Sequence, residues 1–394
     1  MRQRHFTVTA AQVQRHAREN AQHYLRLPDH GPKTKAPALF ALLFWAAARL
    51  ASIAAACKAL RDAPSDQAVR DALSATLPEF AELQRRLNRA LAGGAPRALC
   101  RRPQRVALDL TLLPYYGLPQ SDPEEIYKGP CKAGTHHAHA YATAYVICQG
   151  CRVTLGLRAV HHSDPWDAVV RDLLRQVRRA GVRVRLVLLD RGFYSAAVIR
   201  YLRRARYPFL MPVIRRGRRP DHPEGASGTW AFTTRRRSGW AEYTLTDRAG
   251  QRVTVALCLC YRREPPQRPG ARKRRPQMWL YAYWGVQPPS VGWVRETYRR
   301  RFGIESSYRQ LREGLIRTSS RSPQLRLLFV GLALLLRNVY VWLHWEVLAY
   351  RRRGYRAVDL NQLPLKAVLR WLAAWAEALF GLSLDQAAAR PFPD

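Results

Sequence analysis

Three acids in this chain stand where a carboxylate is awkward. Asp109 lies inside the apolar run RVALDLTLL (105–113), and Asp190 closes another, VRVRLVLLD (182–190). Glu305 is the only acid in YRRRFGIESSYRQLR (298–312), a stretch otherwise crowded with Arg and Tyr. A carboxylate taken out of water without a partner is costly. Several carboxylates converging on hard divalent cations resolve that cost. The reading is therefore a pair of Mg²⁺ ions, ~4 Å apart, held by Asp109, Asp190 and Glu305, with Mn²⁺ able to substitute. Such ions activate an attacking hydroxyl and stabilise a leaving oxygen, which is the chemistry of phosphoryl transfer.

The bases around Glu305 fit the same chemistry. At ~100° per residue, Tyr298, Arg301, Glu305 and Arg312 share one narrow helical stripe. Ile304, Leu311 and Leu315 form an apolar stripe beside it, suited to packing on a sheet. Arg301 and Arg312 are expected to grip phosphates, Arg301 bidentately, and Tyr298 to donate a hydrogen bond to a phosphate oxygen. The whole chain repeats the pattern. Lys and Arg number 66 against 28 acids in 394 residues, a net charge of +38, and only seven of the bases are Lys. So large a surplus repels itself unless a polyanion is near, and nucleic acid is the expected partner.

The elements that must position these residues can be read in order. Residues 1–100 read as helical, a possible DNA-binding region. Within it, ASIAAACKALRDAPSDQAVRDALSATL (51–77) is two helices around Asp62-Ala63-Pro64, with Ser65 or Asp66 as N-cap. It is either a helix-turn-helix presenting Gln67, Arg70 and Asp71 to a groove or an ordinary helical hairpin. Residues 101–214 read as the first part of a catalytic core: three strands, helix, strand, helix, strand. Gln149-Gly150 marks a hairpin turn. Helix 163–181 is expected to have Asp164 as N-cap, Pro165 at its first position and Gly181 at its stop. Residues 215–288 read as a β-rich insertion of the segments TWAFTTRRR, GWAEYTLTD, RVTVALCLCY and MWLYAYWGV between Arg/Pro/Gly loops. The core helix carrying Glu305 falls in 289–320, and 321–394 is a C-terminal helical region.

Several signals point elsewhere and carry less. Segments 38–57 and 325–345 are apolar, but Arg49, Arg337 and Asn338 interrupt them, so buried helices are expected and no membrane partner. The opening MRQRHFTVTAAQ lacks the apolar core of an export signal, and seven Cys fit reduced thiols in a cytoplasm. Cys148-x2-Cys151 with Cys258-x-Cys260, and the histidines 136, 137, 139, 161 and 162, are read as structural in preference to metal-binding. Asp122, Glu124 and Glu125 are read as a solvated loop. No GxxxxGK loop is present, so NTP-driven action is not indicated. The basic runs 215–219 and 272–275 are expected to touch a nucleic acid backbone.

Taken together, Tyr298-x2-Arg301-x3-Glu305-x6-Arg312, DLT (109–111) and DRGFYS (190–195) resemble the motifs of the DDE transposases of bacterial insertion sequences, the YREK-signature group. That signature ends in Lys, whereas this chain has Arg312, a planar fork in place of a point charge. The resemblance spans roughly residues 105–345 by element order. It implies an α/β fold, an RNase H-like mixed sheet flanked by helices, with a β-rich insertion and helical N- and C-terminal regions. It implies Asp109, Asp190 and Glu305 as catalytic metal ligands, and Tyr298, Arg301 and Arg312 as DNA contacts. The implied activity is Mg²⁺-dependent cleavage and strand transfer at terminal inverted repeats and target DNA, by a homodimer in the nucleoid of a prokaryotic cytoplasm. A DNA nuclease without strand transfer and an inactive DNA-binding relative are the alternatives. Some members stack a flipped base on an insertion Trp, and Trp230, Trp240, Trp279 and Trp284 are the possible counterparts.

Overall fold

The computed structural model describes residues 7–118, 123–148, 151–247, 249–262, 276–302, 313–352 and 355–383. The chain forms two compact units, 1–96 with 308–394, and 97–307.

The first unit is helical. Its N-terminal part holds α1 (Ala10–Leu25), α2 (Ala36–Arg49), α3 (Ile53–Ala59), α4 (Asp66–Thr76) and α5 (Phe80–Gly93). Thr9 and Gln12 form a capping box at α1, and Ser65 caps α4 through the Ala68 N–H. Gln67, Arg70 and Asp71 are exposed on α4, while Val69, Ala72 and Leu73 are buried. The centre of this unit is the helix Pro323–Trp342, buried along nearly its whole length from Arg326 to Val341. With its continuation to Val347 it is, among the described residues, the one single helix long and apolar enough to cross a membrane, and 94% of that apolar window is buried inside the protein. Asn338, placed in this apolar helix, donates its amide to the Leu91 carbonyl at 3.1 Å, which satisfies its polarity. Gly331 allows α5 to approach closely: a Cβ there would fall 2.4 Å from a Leu87 methyl. The helix Leu365–Phe380 packs on α2, and its Glu377 accepts from both Trp45 and Arg49.

The second unit is built on one nine-stranded sheet. Its strands are β1 (Gln104–Pro114), β2 (Tyr127–Lys132), β3 (Thr135–Cys148), β4 (Cys151–Val160), β5 (Val184–Leu189), β6 (Phe209–Pro212), β7 (Gly239–Thr246), β8 (Arg252–Arg262) and β9 (Gln277–Trp284). The order is β2-β3-β1-β5-β6-β9-β8-β7, with β4 also on β3. Only β1-β5 and β5-β6 are parallel. Helix α6 (Trp166–Arg179) leads from β4 to β5, and α7 (Ala196–Arg204) crosses between the parallel pair β5 and β6, as such a pair requires. Side chains alternate faces along a strand. Gly156 and Ala144 meet Leu173 and Gln176 of α6 on one face, while Tyr145 lies on the other, in a core with Leu186, Leu188, Leu210 and Tyr298. Tyr298 belongs to α8 (Val291–Phe302), so α6 and α8 cover opposite faces.

Three local readings are corrected. TWAFTTRRR is a 3-10 helix over Gly228–Arg235, not a strand. Thr233 and Thr234 bond back to the carbonyls of Trp230 and Ala231, local bonds that compete with a sheet ladder, and the Thr229 hydroxyl takes the more distant Arg216 N–H. Asp164 does not cap α6; Arg158 and the His161 N–H take its carboxylate, and the helix starts after Pro165. The segment read as a loop around residue 125 leads into a further strand, β2, with Glu124 accepting from the Ser163 N–H. The strands β7–β9 join the core sheet through the β6-β9 pairing.

Leu188, 1% exposed on the central strand β5, holds the core under α8. Leu188→Ala is expected to cost about 2–5 kcal/mol, read as a lowered urea midpoint of this unit's unfolding.

Candidate active site

Sheet register brings the two aspartates together. β1 and β5 run parallel with Leu108 opposite Leu189, so the next residue on each strand is an aspartate. Asp109 still lies within β1, opposite Thr143 of β3, and is 7% exposed. Asp190 ends β5 and leads into the 3-10 turn Arg191–Phe193; its side chain is 40% exposed. One acid is therefore seated in the sheet and the other faces an open edge.

Both acids converge on a single cation. Arg301, in the last turn of α8, is 5% exposed. Its guanidinium donates to Asp190 Oδ1 at 3.0 Å and lies 3.8 Å from Asp109 Oδ1. Asp109 Oδ1 also accepts the Leu110 N–H at 2.9 Å. Tyr298, one turn earlier on α8, stacks its ring 5.2 Å from the Arg301 guanidinium carbon. Burial alone would pull the Arg301 pKa down, but Tyr298, Asp109, Tyr145 and Asp190 together raise it above the usual value.

Of the residues singled out in the sequence, Asp109, Asp190, Tyr298 and Arg301 thus meet at one place. Tyr298 and Arg301, expected at phosphates, are both turned inward: the Tyr298 hydroxyl donates to the Leu189 carbonyl at 3.3 Å, and Arg301 reaches the aspartates. The α8 helix is described to Phe302; Glu305 and Arg312 lie outside the described residues. Among the four tryptophans, Trp240 on β7 is exposed and stands edge-on to Tyr283. Trp230 has Arg215 and Arg219 over its ring, Trp279 has Arg295 and Trp284 has Arg203.

A polar cluster beside Asp109 was not foreseen. Tyr145 on β3 is fully buried, with the Arg152 guanidinium carbon 3.5 Å from its ring centroid. Arg152, itself 3% exposed, donates to Thr143, the residue paired with Asp109. The alternation in HAHAYATAY places Tyr141, Thr143 and Tyr145 on one face, but only the register with β1 shows that this is the face of Asp109. In the same core, Cys258 and Cys260 are buried in β8, where burial pushes the Cys258 thiol up to about 12. His139 packs on Tyr115. Among the described residues no three of His, Cys, Asp and Glu gather as a metal-ligand group.

The donor set nevertheless suits a hard divalent ion. Carboxylates from adjacent strands each place an oxygen within 4 Å of one cation, the Arg301 guanidinium, Asp109 at one of its terminal nitrogens and Asp190 at the other. Anionic oxygen ligands, one buried and one open to solvent, are what Mg²⁺ or Mn²⁺ takes.

Burial also holds the Tyr145 phenol neutral, pushing its pKa up to about 12. A pKa raised by folding favours the protonated form in the folded state. Its contribution is complete below the unfolded value near ~10 and is lost as pH climbs towards the folded one. The Tyr145 hydroxyl has no hydrogen-bond partner among the described residues. Tyr145→Phe is therefore expected to leave neutral-pH stability within about 1 kcal/mol. It should also lessen the loss of melting temperature between pH ~10 and about 12, in thermal melts across that range.

A family profile described as the transposase DDE domain matches residues 101–339, more than half of the chain. A search of curated proteins finds no match. Among solved structures, the cryo-EM structure of the piggyBac transposase synaptic complex with hairpin DNA is similar in fold, with a TM-score of 0.52 at 12% identity. That likeness covers 87% of this chain and 71% of the other. A mixed sheet that sets Asp109 beside Asp190, inside a segment matched as a whole by that profile, leaves one family: the chain belongs to the DDE transposases.

Proposed function

We propose that this protein cuts and joins DNA at the ends of a bacterial insertion sequence, as a Mg²⁺-dependent transposase of the YREK-signature group. The observation that carries the reading is the convergence of Asp109 and Asp190 on one cation, inside the matched segment. The order β4-β3-β1-β5-β6, three antiparallel strands followed by two parallel ones, supports an RNase H-like core. Glu305 is the proposed third ligand. Arg312 is the proposed phosphate contact on the same segment. The +38 charge supports DNA as the partner. Two ends have to be held at once, which argues for a homodimer on DNA in a prokaryotic nucleoid. The N-terminal helices, with Gln67, Arg70 and Asp71 exposed on α4, are proposed to contribute to DNA binding.

Asp109, Asp190 and Glu305 would hold the divalent ions, and such ions supply Lewis-acid activation of the attacking hydroxyl and charge stabilisation at the leaving oxygen. The chain's own residues set the frame for that chemistry. Asp109 is fixed by the sheet and by the Leu110 N–H, so its oxygen keeps its direction. Asp190 stands at the open end of β5, where a DNA strand has access. Tyr298, anchored on Leu189, ties α8 to the strand that ends in Asp190.

Asp109→Asn is expected to reduce Mg²⁺-dependent cleavage of end-containing DNA by more than roughly 100-fold, beyond the loss typical of an outer partner. DNA binding in a gel-shift assay should be kept or strengthened. Unchanged cleavage removes Asp109 from the site. Joining of a pre-cut 3′-hydroxyl end to target DNA is the second measurement: cleavage without joining means a nuclease, and neither activity at any salt means a DNA-binding relative.

A further inference from the structure

Arg301 takes a position that a phosphate-binding arginine does not need. It is nearly buried, its guanidinium lies on Tyr298, and it spans two carboxylates from two strands. We propose that Arg301 is a tethered counter-ion, occupying the place of a divalent cation between Asp109 and Asp190 until such an ion displaces it. The proposal rests on the reading of the two aspartates as metal ligands.

The argument is one of charge and of space. Two carboxylates and one guanidinium leave a net charge of −1 at the pair; without Arg301 it is −2. Asp109 is too buried for water to serve as its only counter-charge, so a metal-free protein needs an internal cation there. Arg301 supplies it. The same guanidinium repels an incoming divalent ion and uses Asp190 Oδ1, at 3.0 Å, in a hydrogen bond. Magnesium demands close, nearly octahedral oxygen contacts and does not share a ligand oxygen with a donor aimed along the same direction. The ion and the guanidinium are therefore alternatives.

Displacement has a ready destination. The fork that fits a carboxylate also fits a phosphate. Once released, Arg301 lies at the edge where Asp190 is open to solvent, in reach of a DNA backbone brought to the acids. Its phosphate contact, expected from the sequence, then follows metal entry. The two binding events favour each other, since each removes a competitor of the other.

The test is Mn²⁺ titration of the full chain without DNA, followed by electron paramagnetic resonance, for wild type, Arg301→Met and Arg301→Lys. Removing the competing charge is expected to tighten Mn²⁺ binding about tenfold or more in Arg301→Met, with Arg301→Lys in between. In EDTA, Arg301→Met should melt below wild type, and saturating Mn²⁺ should raise its melting temperature by more than it raises that of wild type. Equal or weaker Mn²⁺ binding in the variants overturns the proposal, and a melting deficit that Mn²⁺ does not lessen does the same. If Arg301→Met does not fold, Arg301→Lys carries the measurement. Asp109→Asn separates the two layers: Mn²⁺ binding equal to wild type there overturns the metal reading itself, whereas a loss there with unchanged Arg301 variants overturns only the counter-ion.

Discussion

The bridge from Arg301 to Asp190 and Asp109 joins three elements that no local interaction would bring together. Arg301 and Asp190 are 111 residues apart in sequence. One partner comes from the middle of a strand, one from a strand end and one from the last turn of a helix. A buried ion pair of this kind adds little net stability, because desolvation offsets the attraction. Removing one member is costly, because the other is left buried and charged. The bridge therefore acts on arrangement more than on stability: it sets where Arg301 of α8 stands with respect to the carboxylates beside β1 and β5.

The rest of that sheet face supports the same point. Tyr298 ties α8 to Leu189, and Arg152 with Thr143 and Tyr145 fills the space beside Asp109 with polar groups. Burial is the largest influence on both Tyr145 and Tyr298, and it raises both phenols, so both stay neutral across the physiological range. Beside the two aspartates, Arg301 and Arg152 are thus interleaved with neutral tyrosines. A low-dielectric setting of this kind makes every charge count for more than it would at the surface.

Much of this was legible in the residues, and the exceptions have physical reasons. Asp109 and Asp190 announced themselves because a carboxylate among Val and Leu needs an explanation. A cap at Ser65 or Asp66, before an amphipathic run, was legible because such bonds are local, and the bond to the Ala68 N–H selects Ser65. Asp164 looked like a cap on the same grounds, but Arg158, in an adjacent strand, outcompeted the helix N-terminus for it. TWAFTTRRR alternates as a strand would, yet Thr233 and Thr234 bond to backbone three residues back, which periodicity does not register. The inward turn of Tyr298 and Arg301 was hidden for another reason. A helical stripe says which residues share a face, not whether that face meets solvent or a sheet. Tyr145 and Arg152 were missed because their importance lies in register, a relation between strands and not within one.

The continuity of the sheet has one further consequence. Strands β6, β9 and β8 separate β5 from β7, so the chain between β6 and β9 departs from and returns to the sheet on the side away from Asp109. Residues gained or lost in that excursion change the outer margin while the ladder from β1 to β6 keeps its register. Changes confined to that margin leave the spacing of Asp109 and Asp190, set by the β1-β5 register, as it is.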